Sequence, residues 1–304
     1  MRLLKNTWKN KTLFLMSLPC IVLMILFNYV PMTGLILAFK RFNFSDGMYF
    51  SPWVGFDNFK VLFQTGGIAQ RLFGNTIMYY IIFTIVGTVG NVMLAIGLNE
   101  MVFKRTAKFM QSCMILPTFI SYIAVSFIVY ALLASKTGMV NRLIMAAGGD
   151  SIAFYTKPEY WPLILTLVKI WKNTGYGSVM YLATLAGIDS SMYEAAEIDG
   201  AKARQKMWYI TIPSLMPMIV IMTLLGLGNF MHSDTGLFYQ VTRNSGMLYE
   251  TTQVLDSYIL NNVMNASDFG VTGAVSFFQS TVGCLLVIVT NLIVRKISPE
   301  SALF

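Results

Sequence analysis

Six stretches of this chain, at 12–38, 75–98, 109–134, 161–186, 211–231 and 271–294, are apolar over more than twenty residues each. A lipid core about 30 Å thick is crossed by about 20 helical residues. Inside lipid a segment must satisfy its own backbone N–H and C=O groups, and for separate runs of this length only the helix does so. The runs predict an all-α polytopic membrane protein with six transmembrane helices. It reads as one transmembrane domain over 1–304, with a charged loop at 187–210 inside it. Composition agrees: 12% of the residues are charged, against about 25% in a soluble domain.

The first run follows Arg2, Lys5, Lys9 and Lys11, as in a secretory signal. It is too long for one and lacks a small-residue cleavage pattern, so an uncleaved helix is expected. Lysine and arginine then set the orientation. With the N-terminus in the cytoplasm, the inside segments 1–11, 99–108, 187–210 and 295–304 hold twelve such residues in about 55 positions, and the outside segments 39–74, 135–160 and 232–270 hold eight in about 100. Both termini are therefore expected in the cytoplasm. The net charge of +8 marks topology rather than a nucleic-acid surface. Cys20, Cys113 and Cys284 lie in apolar runs without a CxxC, which predicts free thiols and no metal site.

Two outer segments stand out. In "WVGFDNFKVLF" (53–63), Phe56, Phe59 and Phe63 recur at helical spacing, which fits a short helix lying on the membrane interface or one packed on the bundle. The segment 232–270 is long for a connection, and such loops are functional or disordered. Gly87, Gly90 and Gly97 in the second run are expected to allow close helix packing.

The charged interruption 187–210 has its own grammar. Ser191-x-x-Glu194 predicts a capped helix start at Ser191. Gly200 allows a sharp turn, and Pro213 opens the next span near its first turn. The expected result is two short helices meeting at Gly200, with Ala195 and Ala196 giving the first a slim side. Periodicity alone leaves two readings open: a solvated amphipathic loop, or a helix that enters a partner's groove.

Residue order adds more. Glu194-Ala195-Ala196, then Gly200, then Ile210-Thr211-Ile212-Pro213, with Asp199-Gly200-Ala201 inside, resembles the EAA loop of the permeases of ATP-binding-cassette importers. Ile212 departs from the usual leucine. "NYVPMTGLILAFKRFNF" (28–44), "SPWVGFDNFKVLF" (51–63), "ILPTFIS" (115–121), "WKNTGYGSVMYLATLAGID" (171–189) and "NLIVRK" (291–296) are similar to the maltose-class sugar permeases, in the branch serving complex oligosaccharides. The resemblance runs nearly end to end. It implies a type I importer permease fold in a bacterial cytoplasmic membrane. It also implies a heterodimer with a related second permease chain, two ATP-binding subunits that bind ATP and Mg, and an extracellular solute-binding protein. Glu194, Ala195, Ala196, Asp199 and Gly200 would then couple the chain to the ATPase. The chain has no GxxxxGK[ST] phosphate loop, so hydrolysis is expected of the partners and no cofactor of this chain.

A lysine at mid-membrane costs about 2.5–3.5 kcal/mol on insertion scales, so Lys169 and Lys172 in the fourth run should face protein or water. Lys169 could equally snorkel outward. Lys172, Asn173 and Tyr176 share one side, from which Lys172 and Tyr176 are expected to meet solute and Trp171 to pack on a neighbouring helix. The resemblance implies further path residues: Thr118 and Tyr122 in the third run, and Asn229 and His232 at the outer end of the fifth. His232, the sole histidine, is more often a packed residue than a ligand. A stand-alone channel, a secondary transporter or a membrane-embedded enzyme is the alternative. The spans hold almost no Asp or Glu, and one histidine cannot supply an intramembrane catalytic cluster.

Overall fold

The computed structural model describes residues 11–63 and 68–297. The expected N-terminal basic flank, Arg2 to Lys9, lies outside the described residues. All regular structure among those described is helical, and one isolated antiparallel bridge joins Lys40 to Trp53. The main helices are α1 (Phe14–Phe39), α2 (Ile68–Asn99), α3 (Lys104–Phe119), α4 (Tyr122–Leu133), α5 (Trp161–Ala186), α6 (Ser190–Ile198), α7 (Ala203–Leu227) and α8 (Phe269–Ile297). Among the described residues, α1, α2, α7 and α8 are each long and apolar enough to cross a membrane, and the pair α3 and α4 makes a fifth span if it is taken as one. The 26 residues of α5 reach about 39 Å, enough to span, but Lys169, Lys172 and Asn173 make it more polar. The six expected runs thus fall mostly on helix, apart from the break at 120–121 in the third and the turn at 228–231 that ends the fifth.

The third run is corrected in shape. It is two helices bent by 98°, not one straight rod. Pro117 sits in a 3₁₀ turn over Leu116–Phe119, Ile120 is extended, and Ser121 caps α4 by accepting the Ala124 N–H at 3.3 Å. The second of the two short helices expected at Gly200 is continuous with the fifth run: α7 begins at Ala203, so the last residues of the charged segment are its first turns. Pro213 lies just after a π-helical turn, Met207–Thr211, and Pro31 follows another, Ile25–Tyr29. Proline lacks an N–H and crowds the carbonyl four residues back, and the wider turn relieves that clash.

The chain divides into two compact units, Met1–Gln64 with Asn262–Phe278 and Thr65–Asn261 with Gln279–Phe304. In the first, Phe39 is ringed by Trp53, Phe56, Phe59 and Phe277 at centroid distances of 5.4–5.8 Å. The Asn58 amide donates to the carbonyls of Ala38 and Lys40, both at 2.9 Å. The segment 53–63 therefore packs on its own unit through Phe56 and Phe59, and leaves much of Phe56 and Phe63 exposed. It is a 3₁₀ turn followed by one helical turn, Lys60–Phe63.

In the second unit α2 and α5 form the most extensive helix pair. The glycines that let helices approach are not the expected ones. A Cβ at Gly87 or Gly97 would meet nothing within 4 Å, and at Gly90 only ordinary contacts. A Cβ at Gly175 would lie 1.8 Å from the Met114 carbonyl oxygen, and one at Gly177 would strike the Asn91 amide at 2.5 Å. The long outer connection is also ordered by packing. Leu237, Phe238, Val241 and Leu248 are buried with Tyr79, Val125 and Trp161. A tight turn with positive φ at Arg243 and Asn244 is tied by the Asn244 amide to Asn261 at 2.9 Å and by the Tyr249 hydroxyl to Asn244 at 2.9 Å. Asn244 and Asn261, which read as loop residues, are the staples of that turn.

Candidate functional site

The charged segment builds a short capped helix, α6, on the start of α7. Its start is corrected by two residues. Asp189, not Ser191, is the N-cap, and its carboxylate accepts the Ser191 N–H at 3.0 Å. Hydrogen bonds from Ser191 hold the Asp189 carboxyl below the ordinary carboxylate range. The end of α6 is a Schellman motif. Ala201 N–H donates to Ala196 O at 2.8 Å, Gly200 N–H donates to Glu197 O at 3.0 Å, and Gly200 takes φ +74°. Asp199 is the residue at the C-cap. Glu194, Ala195, Asp199 and Gly200 are exposed and Ala196 half-buried. Ile198, 88% exposed, sits among them as an apolar tip.

Two contacts fix α6 to α7. The Lys206 ammonium donates to Glu197 at 2.6 Å, which holds the Glu197 carboxyl below its ordinary range. The Tyr193 hydroxyl lies 3.0 Å from that of Thr211. Because α7 runs straight on from Ala203, displacement of α6 bears directly on a spanning helix.

The candidate solute path lies between α2, α5 and α7. A cavity of about 350 Å³ is lined by Asn173, Tyr176, Asn91, Thr223 and Lys169 among others. A second, of about 210 Å³, is lined by Lys169, Asn229, His232, Asp234 and Tyr80. The two share Phe83, Thr84 and Lys169. Of the expected path residues, Asn173 and Tyr176 are thus brought to the first cavity and Asn229 and His232 to the second, and Tyr176 is 64% exposed.

Lys172, Thr118 and Tyr122 are differently employed. The Lys172 side chain turns to the bend between α3 and α4, where its ammonium donates to the carbonyls of Ile120 at 2.6 Å, Thr118 at 2.7 Å and Pro117 at 3.3 Å. Thr118 returns a hydrogen bond from its hydroxyl to Lys172 O at 2.7 Å. With all three protons placed and 6% of the residue exposed, Lys172 offers no free donor to a solute. It satisfies the carbonyls that the break releases, which in lipid would otherwise go unpaired. Trp171, expected to pack, is 45% exposed within this chain.

Two acids that residue pattern did not single out complete the site. Asp234 accepts from the Tyr122 hydroxyl at 2.6 Å and from Lys169 at 3.1 Å, both at Oδ2. Asp256 accepts the Ser233 N–H at 2.6 Å, lies 3.3 Å from His232 Nδ1, and receives Gln279 at 3.3 Å. In sequence both look like ordinary loop charges. Only the fold turns them toward α5 and His232.

Comparison with known proteins places this geometry. Residues 91–300 match the family model described as the binding-protein-dependent transport system inner membrane component. The protein LplB of Bacillus subtilis (strain 168) is 31% identical over 96% of this chain and 91% of its own length. The polygalacturonan/rhamnogalacturonan transport system permease protein YteP of the same organism is 31% identical over 98% and 92%. Among solved structures, a chain of a bacterial ABC transporter involved in import of the acidic polysaccharide alginate superposes with a TM-score of 0.88 at 31% identity, covering 98% of this chain and 100% of that one. A chain of the alginate transporter in complex with its pentasaccharide-bound periplasmic protein gives 0.87 at 30% identity, covering 98% and 99%.

Proposed function

The chain belongs to the family of inner membrane components of binding-protein-dependent transport systems, and from that premise we propose that it is one permease half of an ATP-driven importer that takes an oligosaccharide from a solute-binding protein into the cytoplasm. A related second permease chain forms the other half. Two ATP-binding subunits bind ATP and Mg and supply hydrolysis, so this chain is a transport subunit rather than an enzyme. Its fold is the all-helical one of type I importer permeases.

The single observation that carries the reading is α6. A short helix closed at both ends, exposing Glu194 and Ala195, is joined to the first turns of a spanning helix by the Tyr193–Thr211 contact and the Lys206–Glu197 pair. A partner that grips α6 and closes would pull on α7, which lines the larger cavity through Met222, Thr223 and Gly226. The solute class is supported by the named oligosaccharide and polysaccharide relatives. Asn173, Tyr176, Asn229 and His232 would face that solute, while Lys172, Thr118 and Tyr122 brace the helices around it. Both termini and α6 would lie in the cytoplasm, and the turn at 243–247 outside.

The test is reconstitution of the complete complex in liposomes with its binding protein. Glu194→Lys is expected to abolish solute-stimulated ATP hydrolysis while insertion and assembly persist. Wild-type coupling in that variant removes α6 as the joint. Uptake by the lone chain without ATP supports a channel instead.

A further inference from the structure

The helix α2 is two-faced over its middle turns. Ile81, Ile85, Val89 and Met93 recur every four residues and are exposed on one face. Thr84, Thr88 and Asn91, spaced at i, i+4 and i+7, share another face and line the larger cavity. Across that cavity stand Asn173 and Tyr176 of α5 and Thr223 of α7. A polar side chain in a span has to face protein or water, and the cavity gives this stripe its reason.

Asn91 is the member that packing does not explain. Its Oδ1 is buried and has no hydrogen-bond partner among the described residues. Thr223, by contrast, spends its hydroxyl on its own helix, at Ile219 O, 2.7 Å away. A buried acceptor left unpaired destabilises a fold, whereas an apolar group of the same shape does not. Leucine is of similar size and carries no such cost. The backbone of Gly177 on α5 leaves the amide its room: a Cβ there would lie 2.5 Å from Asn91 Nδ2 and 2.7 Å from Oδ1. The amide is thus held in a cradle at the cavity wall with its acceptor unspent.

We propose that Asn91 is a specificity-determining residue of the solute path, and that it reads a pair of adjacent hydroxyls on a sugar ring. A primary amide holds a donor and an acceptor side by side, and neighbouring ring hydroxyls present the matching acceptor and donor. One solute hydroxyl donates to Oδ1 while its neighbour accepts from Nδ2. Oδ1 is closed off in this conformation, so the amide turns toward the cavity to make the pair, and no hydrogen bond at Oδ1 opposes the turn. Thr88 and Thr84, one and two turns earlier on the same face, extend the polar wall along the cavity. A ring without adjacent hydroxyls leaves the amide unpaired and is rejected, as at other sites built to hydrogen-bond a hydroxyl. The inference deepens the permease reading and rests on this cavity being the path.

The experiment uses the complete complex with its binding protein in proteoliposomes. The probe is the pooled trisaccharide fraction of pectin, arabinan and starch digests, native or partially O-methylated, with uptake read by mass spectrometry. Asn91→Leu is expected to cut uptake of the native pool about tenfold below saturation, the worth of one good hydrogen-bonded pair. Its complex should melt at or above the wild-type temperature, where a structural role for Asn91 would lower it. Asn91→Gln, which keeps the amide on a longer stem, should retain part of the uptake. Val89→Leu, on the exposed face, should transport as wild type does. The preference for native over methylated sugars should narrow in Asn91→Leu. Both chains are fed by the same binding protein, so that change belongs to the permease. Undiminished uptake by Asn91→Leu overturns the proposal, as does a lowered melting temperature, a failure to assemble or an unchanged preference. Any of these alongside uptake by wild type removes the subsite alone. If wild type takes up nothing from the pool, the oligosaccharide reading fails and the subsite with it.

Discussion

The Lys172 ammonium lies 2.6 Å from the carbonyl oxygen of Ile120, at the bend where the third span breaks. Ile120 is extended, so its carbonyl has no helical partner. One side chain from α5 thus acts as the cap of a helix 52 residues earlier in the chain. Removing the donor of a buried hydrogen bond leaves its carbonyl acceptors unsatisfied, which costs about 1–3 kcal/mol for a buried polar group.

Lys172→Met is accordingly expected to lower the yield of folded complex and its thermal stability by more than a path residue does. Tyr176→Ala, at an exposed position on the same helix, should leave stability near wild type and weaken transport. Thermal unfolding of the purified complex, followed by size-exclusion recovery, separates the two. Equal stability in both variants removes Lys172 as the brace.

Gly175 gives a sharper case. Any Cβ there would fall on the Met114 backbone, which cannot rotate away as a side chain can. Gly175→Ala should destabilise by about 1–3 kcal/mol, the usual cost of overpacking. Gly177→Ala meets the Asn91 side-chain amide, which can shift, so its cost should be smaller. Parallel melting curves of the two variants check the order.

Gly200 holds φ +74° with nothing within 4 Å of a built Cβ. The constraint is the backbone, and a left-handed residue costs an ordinary L side chain about 1–2 kcal/mol. Gly200→Val should uncouple ATP hydrolysis from transport, whereas Gly200→Asn, which tolerates this conformation, should retain most activity. If both fail equally, a partner's close contact at Gly200 is the reason instead of the turn.

Topology is read by labelling. After replacement of Cys20, Cys113 and Cys284, all free and exposed, single cysteines at Ser191 and at Met247 should react from opposite sides of the membrane. A membrane-impermeant maleimide added to intact cells should label position 247 and spare 191. The reverse pattern inverts the proposed orientation.

The His232–Asp256 contact carries a pH dependence. Because His232 is raised above 6.5 in the folded chain, its stabilising contact is fully present below the unfolded value and is lost as pH rises through the folded one. Beyond the base catalysis that every amide shows, exchange at Ser233 should therefore quicken further between neutral and alkaline pH. The quickening should be partial, because Asp256 keeps Ser233 N–H and Gln279 when the imidazole is neutral. His232→Gln should remove that excess.

Much of this was legible without coordinates. Length and apolarity decide which runs become helix, because a backbone in lipid must pair with itself, and that pairing is local. The helical runs, the projecting segment around Glu194 and the turn at Gly200 follow from such short-range rules. So does the charge bias of the segments between the spans. Partner choice did not follow. Lys169 and Lys172 look alike in sequence, yet one is spent on carbonyls of the third span and the other stands by Asp234. Gly87 and Gly175 look alike too, and only the second is crossed by another backbone. The bend at Pro117, the cap at Asp189 and the early start of α7 were likewise decided by tertiary structure. These depend on which distant groups the packed helices bring within hydrogen-bonding reach, and no local pattern specifies that distance.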